Sequence, residues 1–247
     1  MIEKNILEKF DKYTSNYNLN DPKIKLKYDH SIRVMKLSKK YATKLGYSKE
    51  DVELATLIGL LHDIGRFEQI KVYNTFDDSK SIDHALYGVK VLFEDNLIEE
   101  FWNKKEDYEI IKTAIYNHNK YKIENIKDER ILMHTKLIRD TDKVEIIYMY
   151  GYLKEYTLKN KDYLISENII KAVKNHMQVH NEDIKKECDG AVVGLCFAFD
   201  INNDVCLKEM KKNLKEYYKI IEKDNKFKSI YEEVIKYIDE RINNYAR

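Results

Sequence analysis

Apolar residues recur at helical spacing along most of this chain. The i, i+3, i+4 pattern of an amphipathic helix predicts a leading helix from Ile2 to about Tyr17 and helices at roughly 27–46, 50–62, 82–98, 105–118 and 128–146. Residues 66–81 keep no sustained period, which predicts a loop. The apolar stretch Ala191–Phe199 fits a strand or a buried helix by itself, and its surroundings favour a helix. Residues 205–245 predict a pair of helices that closes a bundle.

Residues that break helices are scarce. The chain has a single proline, Pro22, and only 7 glycines, and both residue types are strongly disfavoured inside helices. The sequence therefore predicts an all-α fold. We expect three parts: an N-terminal helix and linker at 1–22, a core at 23–147, and a C-terminal helical extension at 148–247 that packs on the core.

Charge and composition narrow the classes of partner. Lys and Arg number 44 against 43 for Asp and Glu, so no bulk field favours a nucleic-acid polymer or an anionic membrane. No run approaches the roughly 20 apolar residues of a membrane span, and the chain begins with a charged amphipathic segment and no secretory signal. The three cysteines lack CxxC spacing and are expected to be reduced thiols. We expect a cytoplasmic protein.

Candidate chemistry begins with the dipeptide His62-Asp63, at the end of the apolar run Leu57–Leu61. A helix that is apolar on nearly every side belongs in a core, where an unpaired charge is costly. A divalent cation would supply the partner that this pair needs. Gly65 is expected to end the helix there, since glycine is preferred just past a helix C-terminus, and to let Arg66 turn back towards the site.

The order of other histidines and aspartates strengthens this interpretation. Further candidate ligands, in chain order, are His30, His84, His118 and Asp142. With the dipeptide they give the order H, HD, H, H, D. Over about residues 26–147, this order and the segments HDIGRFE, HALYG and RDTDK resemble the HD-domain superfamily of metal-dependent phosphohydrolases, in its six-ligand variant. The resemblance implies an HD-domain helical bundle with extra C-terminal helices.

The resemblance also implies a ligand set. His30, His62, Asp63 and Asp142 would be the basic ligands, Asp63 would bridge two ions, and His84 and His118 would complete the shell of the second ion. Asp140 competes with Asp142, because residues two apart lie on different sides of a helix; Asp142 fits the family's aspartate before a basic residue. Imidazole and carboxylate ligands suit Mn, Fe, Co, Ni or Zn, so two divalent transition-metal ions are expected.

The expected activity is hydrolysis of a phosphate ester in a nucleotide or another small phosphorylated metabolite, with a metal-bridging hydroxide as nucleophile. Arg66 is the first candidate to bind the phosphate, because its guanidinium offers a bidentate fork; Arg33 and Lys143 are further candidates. Phosphatase and phosphodiesterase activity both stay open. Arginine follows Gly65 where the HD-GYP enzymes carry lysine, and no GYP signature occurs, which argues against a phosphodiesterase for cyclic dinucleotides.

Two alternatives fit the same ligands: a diiron oxygenase of HD type, and a metal-stabilised ligand-binding or signalling module without turnover. Other polar residues are given structural roles. His134 is expected to be a core histidine, and His176 and His180 to share a helix face without binding metal. Asp77, Asp78 and Lys80 are expected to be solvated turn residues.

Overall fold

The computed structural model describes residues 2–156, 164–222 and 225–244. Within these ranges the chain is largely helical and has no strand, which confirms the all-α prediction. The α-helices are α1 (Ile2–Thr14), α2 (Pro22–Lys44), α3 (Lys49–Leu61), α4 (Gly65–Tyr73), α5 (His84–Val89), α6 (Ile98–Phe101), α7 (Tyr108–Asn117), α8 (Glu129–Tyr152), α9 (Glu167–Lys174), α10 (Glu187–Cys196), α11 (Asp204–Ile221) and α12 (Asn225–Asn244).

The chain divides into two compact units, Met1–Asp142 and Lys143–Arg247. The boundary falls inside α8, shortly before the predicted boundary at residue 147. The leading helix α1 belongs to the first unit, where Ile6 and Phe10 are buried in the hydrophobic core. The three-part division and the packing of the extension on the core stay predictions.

The core of the first unit surrounds α3. Every residue from Leu54 to Leu61 is buried, as the apolar run predicts for a helix enclosed on all sides. Ser48 caps this helix: its Oγ accepts a hydrogen bond from the backbone N–H of Asp51 at 3.0 Å, and serine is among the residues preferred at an N-cap. Pro22 occupies the start of α2 behind the N-cap Asp21, where a missing N–H costs nothing. These caps fix where α2 and α3 begin.

Residues 66–81 are not simply a loop, because their first half forms α4. Phe67 and Ile70 face the core from this helix and are buried. The apolar pattern is weak because Gln69 is also fully buried, satisfied by polar partners. Gly65 does not end the helix before it but begins α4; a Cβ there would lie 2.2 Å from the carbonyl oxygen of His84. Glycine is thus required for close approach, and the predicted cap role is wrong.

The predicted helix at 82–98 is broken. Regular α-helix covers only His84–Val89, a π-helical turn follows at Lys90–Glu94, and α6 starts at Ile98. Asn96 between them has a left-handed backbone, with φ of 59°, which interrupts a helix. The break shortens α5 to a segment whose first residue is His84.

The second unit contains α9 to α12 and the end of α8. The stretch Ala191–Phe199 is helical, as its surroundings predict, and α11 and α12 confirm the predicted pair within the described residues. All three cysteines are buried free thiols. No helix in the described ranges is long and apolar enough to span a membrane.

Candidate metal centre

Four histidines and two aspartates converge inside the first unit. Their positions are α2 for His30, the C-cap of α3 for His62, the following turn for Asp63, the first residue of α5 for His84, the C-cap of α7 for His118, and α8 for Asp142. The histidines and Asp63 are buried, and 14% of the Asp142 side chain is exposed. The structure thus brings together all six residues that the sequence proposed as ligands.

Asp63 lies at the middle of this cluster, and its two carboxylate oxygens face different histidine pairs. Oδ2 lies 3.5 Å from Nε2 of His30 and 3.6 Å from Nε2 of His62. Oδ1 lies 3.3 Å from Nε2 of His84 and 3.5 Å from Nε2 of His118. One carboxylate therefore serves two adjacent groups of ligand atoms.

Asp142 completes the first of these groups. Its Oδ1 lies 3.1 Å from Nε2 of His30 and 3.5 Å from Nε2 of His62. The sequence left Asp140 as its competitor, and the structure places Asp142 at the cluster. We call the set His30, His62, Asp63 Oδ2 and Asp142 the first subsite, and the set His84, His118 and Asp63 Oδ1 the second subsite.

Hydrogen bonds at Nδ1 assign the tautomers of three of the imidazoles. Nδ1 of His62 lies 2.9 Å from the carbonyl oxygen of Gly59, and Nδ1 of His118 lies 2.6 Å from that of Ile115. Nδ1 of His84 lies 2.6 Å from Oδ2 of Asp78. Each Nδ1 must donate its proton to such an acceptor, so a neutral ring keeps a lone pair at Nε2. All three Nε2 lone pairs point into the cluster.

Burial and neighbouring charge favour the protonation states that a metal requires. Burial lowers the pKa of His62, and burial lowers the pKa of His84 to about 4 against the raising effect of Asp78. Burial alone would raise the pKa of Asp63, but the Lys27 ammonium holds it well below its usual range. Neutral imidazoles and ionised carboxylates are the forms that bind metal ions.

The donor set fits divalent cations. Nε2 of His84 and Nε2 of His118 lie 3.0 Å apart, and with both Nδ1 protons donated elsewhere no proton lies between these two atoms in the neutral rings. Lone pairs and carboxylate oxygens crowded in a buried place repel one another unless a positive charge joins them. Ligand atoms within 4.8 Å of one another form the groups His30–His62–Asp63, His62–His118–Asp142 and Asp63–His84–His118.

Arg66 does not extend freely into the site. Its Nη1 donates to Oε1 of Gln69 at 2.6 Å, to the carbonyl oxygen of Phe76 at 2.7 Å and to Oδ1 of Asp78 at 2.8 Å. Nε is buried without a hydrogen-bond partner among the described residues and lies 3.7 Å from Oδ1 of Asp63. One edge of the guanidinium therefore holds the segment after α4, and its Nε–H faces the second subsite.

Asp78 is a functional candidate that the sequence analysis missed. It was expected to be a solvated turn residue, but it is partly buried between Arg66 and His84. Burial raises its pKa, and the contacts with His84 and Arg66 outweigh that effect and lower the pKa below its usual range. The sequence signal that could have identified Asp78 is its position six residues before the candidate ligand His84. Asp77 is exposed and caps a turn, as expected.

Lys27 is the second missed residue. Its Nζ lies 2.7 Å from Oδ2 of Asp63, and only 12% of its side chain is exposed. It stands three residues before His30 on α2, and residues at that spacing share a helix face. Helical spacing from His30 towards the N-terminus was therefore the signal that could have found it.

Arg139 stabilises the helix end that carries His118. It is fully buried, and Nη1 donates to the carbonyl oxygens of Asn117 at 2.7 Å and Lys120 at 2.6 Å. These carbonyls have no partner within a helix that ends there, so a buried guanidinium supplies one. This contact fixes the chain on both sides of His118.

The remaining candidates lie in other settings. Arg33 is partly buried on α2, and Lys143 forms an ion pair with Asp200 at 2.8 Å in the second unit; their roles in substrate binding stay predictions. His134 lies 3.1 Å from Asp51 in a separate polar network, as expected for a core histidine. His176 and His180 do not share a helix, because α9 ends before both of them.

Comparison with known proteins adds one match. Residues 28–147 match the family model for the HD domain, a span that contains all six clustered residues. No curated protein and no solved structure matches the chain at a significant level. The matched span and the buried cluster of histidines and aspartates together support divalent-metal binding.

Proposed function

We propose that this chain, which belongs to the HD-domain superfamily of metal-dependent hydrolases through residues 28–147, hydrolyses a phosphate ester of a nucleotide or another small phosphorylated metabolite. The observation that carries this proposal is the position of Asp63, whose two carboxylate oxygens face two separate histidine pairs. A carboxylate that faces two ligand groups is suited to bridge two ions. Paired ions are a recurrent device for phosphoryl chemistry.

The residues of the two subsites would hold these ions. His30, His62 and Asp142 would serve one ion and His84 and His118 the other, with Asp63 shared between them. When bound, the ions would supply a Lewis acid that polarises the phosphate and makes a water acidic enough to react at neutral pH. Their identity stays among Mn, Fe, Co, Ni and Zn, because mixed imidazole and carboxylate ligands suit all five.

The protein itself contributes imidazole nitrogens that are oriented to bind metal and a guanidinium N–H that is oriented to donate a hydrogen bond. The Nδ1 contacts of His62, His84 and His118 hold the three rings in place and leave their Nε2 lone pairs available to a metal ion. The Nε–H of Arg66 faces the second subsite, where it is available to a phosphate oxygen. Donors fixed before the reaction stabilise developing charge more effectively than donors that must reorganise.

A substrate panel on the metal-loaded protein tests this function. The purified protein is stripped with a chelator, reloaded separately with Mn²⁺, Co²⁺ or Ni²⁺, and assayed for phosphate release from nucleoside monophosphates, phosphodiesters and small phosphorylated metabolites. We expect release that requires metal and is lost in Asp63→Asn. Asp29→Asn, an exposed aspartate on α2, is the matched control and is expected to retain activity.

The same panel, repeated after loading with Fe(II) and both with and without oxygen, separates the alternatives. Hydrolysis that persists without oxygen supports the proposal. Turnover that requires both Fe(II) and oxygen would contradict it in favour of an oxygenase, and the absence of turnover across the panel with every metal would favour a ligand-binding or signalling module.

A further inference from the structure

Lys27 places a largely buried positive charge directly against the shared carboxylate. Its Nζ lies 2.7 Å from Oδ2 of Asp63, and the exposed fractions of the two side chains are 12% and 3%. An ammonium so enclosed has given up most of its hydration, and such a charge needs a counter-ion. Asp63 supplies that counter-ion in this structure.

Phe76 lies beside the same ammonium. Nζ of Lys27 is 5.5 Å from the centre of the Phe76 ring, and Cζ of Arg66 is 5.9 Å from it. Both distances fall within the range of a cation–π contact. The segment after α4 thus places one aromatic ring beside the two cations that lie closest to the carboxylate of Asp63.

The charges on this side of the cluster do not balance once divalent ions are bound. Two such ions carry more positive charge than the carboxylates of Asp63 and Asp142 can offset, and Lys27 adds to the excess, whereas the charge of Arg66 is paired with Asp78. An ammonium at hydrogen-bond distance from a metal-ligating oxygen is also repelled by the ion. An anionic group supplied by the substrate would offset this charge. Lysine suits the task because its ammonium sits on a flexible stem and can change partner.

We propose that Lys27 binds the anionic group of the substrate, and that its ammonium leaves Asp63 for that group when divalent ions bind to the carboxylate. This inference rests on the proposed function for the identity of the anion, which is a phosphate. It assigns to Lys27 the phosphate contact that Arg66 can make only in part, since Nη1 of Arg66 is engaged with Gln69 and Asp78.

Lys27→Met tests the inference, because methionine keeps much of the side-chain length and removes the charge. The matched control is Lys25→Met: Lys25 lies on the same helix, is about half exposed, and pairs with Asp29 at the surface. Lys27→Arg keeps the charge and tests for rescue. Circular dichroism and thermal unfolding first establish that each variant is folded.

Metal affinity is measured first, by calorimetric titration of the chelator-stripped protein with Mn²⁺. We expect Lys27→Met to bind Mn²⁺ about tenfold more tightly than wild type, because the competing cation at Asp63 is gone. Lys25→Met is expected to match wild type. Weaker Mn²⁺ binding in a folded Lys27→Met variant would overturn the exchange and make Lys27 a support for Asp63.

Anion binding is measured next, by titrating the Mn²⁺-loaded proteins with inorganic phosphate. We expect the Kd of Lys27→Met to rise by about 10- to 100-fold, the usual effect of losing one charge-assisted hydrogen bond, and Lys27→Arg to recover part of the loss. On the best substrate from the panel, KM is expected to rise more than kcat falls. An unchanged Kd for phosphate in Lys27→Met would overturn the inference.

The two proposals fail separately. If no phosphate ester is hydrolysed but phosphate binding depends on Lys27, the phosphohydrolase function is wrong and the anion site is retained. If esters are hydrolysed and phosphate binding is unaffected in Lys27→Met, the function is retained and the role of Lys27 is wrong.

Discussion

Asp78 holds the imidazole of His84, with Oδ2 of the carboxylate 2.6 Å from Nδ1 of the ring. The same carboxylate accepts a hydrogen bond from Arg66 through Oδ1 at 2.8 Å. A carboxylate in this position fixes the ring orientation and makes the opposite nitrogen a better metal ligand. Asp78, which is outside the ligand set, is therefore expected to control the affinity of the second subsite for metal.

Replacing Asp78 by asparagine is predicted to weaken metal binding at the second subsite. The variant keeps the shape of the side chain and loses its charge, and loss of such a partner typically costs 10- to 100-fold in affinity. Calorimetric titration with Mn²⁺ should show one of two binding events shifted by about that factor. Asp77→Asn, an exposed neighbour, should leave both events unchanged. Equal affinities in Asp78→Asn and wild type would exclude a supporting role.

Arg66→Ala is predicted to lower kcat/KM by ~10²–10³, the usual effect of losing one donor that faces developing charge. The hydrogen bond to Asp78 adds a second effect, because the substitution also frees the carboxylate that orients His84. We therefore expect weaker metal binding at the second subsite as well. Activity measured at saturating Mn²⁺ separates the two effects, and full activity there would contradict the phosphate role.

Arg66→Lys extends this test. A lysine keeps the charge, but its one ammonium cannot both replace the contacts of Nη1 with Gln69, Phe76 and Asp78 and present a donor to the second subsite as the Nε–H of arginine does. Partial recovery of kcat/KM is expected, with metal affinity still reduced. Complete recovery of both would show that Arg66 acts as a simple point charge.

Two metal ions per chain are predicted for the fully loaded wild-type protein, because the cluster offers two groups of ligand atoms around Asp63. His84→Ala and His118→Ala should each reduce this to about one ion while leaving the fold intact. His62→Ala and Asp63→Asn should lose more, since they affect the first subsite or both. Elemental analysis after loading and desalting measures the stoichiometry. A wild-type ceiling near one ion would contradict the prediction.

The ligands were accessible to sequence reasoning because histidine and aspartate in a fixed order are chemically distinctive. His30, His62 and His118 come from different helices, and the resemblance of their order to the HD-domain pattern predicted that they lie together. The sequence did not predict roles for Lys27 and Asp78, because their residue types are not distinctive. Lysine and aspartate are common on surfaces, and only the fold reveals that these two are enclosed against Asp63 and His84.

The helix α4 shows a different limit of sequence reasoning. Periodicity detects a helix through its apolar face, but one of the buried positions of α4 is the polar residue Gln69. The amide of Gln69 contacts Arg66, Asp78 and Ser81. A polar group that is fully hydrogen-bonded can be buried at little cost. The hydrogen bonds of Gln69 at the candidate metal centre are therefore the reason that the apolar pattern did not predict this helix.

Gly65→Ala is predicted to destabilise the first unit and to disturb the second subsite. A Cβ at Gly65 would lie 2.2 Å from the carbonyl oxygen of His84 and 2.7 Å from the backbone nitrogen of Gly88. Backbone atoms cannot move aside as a flexible side chain can, so α4 and α5 must separate. We expect a loss of at least about 2 kcal/mol in the free energy of unfolding and weaker metal binding.

Gly190→Ala is the control for that substitution. The nearest atom to an added Cβ there is the Tyr156 hydroxyl at 3.8 Å, which is an ordinary contact. Alanine is also preferred to glycine inside a helix by about 1 kcal/mol, so this variant should be at least as stable as wild type. Urea unfolding of the stripped proteins measures both effects. A Gly65→Ala protein as stable as the control would show that α4 and α5 tolerate separation.

Acid destabilisation is predicted to include a contribution from Asp51, which lies outside the metal centre. Its Oδ1 accepts hydrogen bonds from Nε of Arg130 at 2.7 Å and Nε2 of His134 at 3.1 Å. Burial raises its pKa, but the contacts with Ser48, His134 and Arg130 outweigh that effect and lower the pKa to about 2. Because the folded protein holds the carboxylate ionised, the stabilisation is present above the unfolded pKa of about 4 and is lost as the pH falls towards 2.

Asp51→Asn removes this ionisation and keeps the shape of the side chain. The difference in unfolding free energy between wild type and variant should be about 2 kcal/mol at pH 7 and should shrink between pH 4 and pH 2. Urea unfolding at pH 7, 5, 4 and 3 measures the trend. Glu50→Gln is the control, since Glu50 pairs with Lys104 at the exposed surface and such pairs contribute little. A difference for Asp51→Asn that stays constant across this range would show that hydrogen bonding, and not charge, carries the stabilisation.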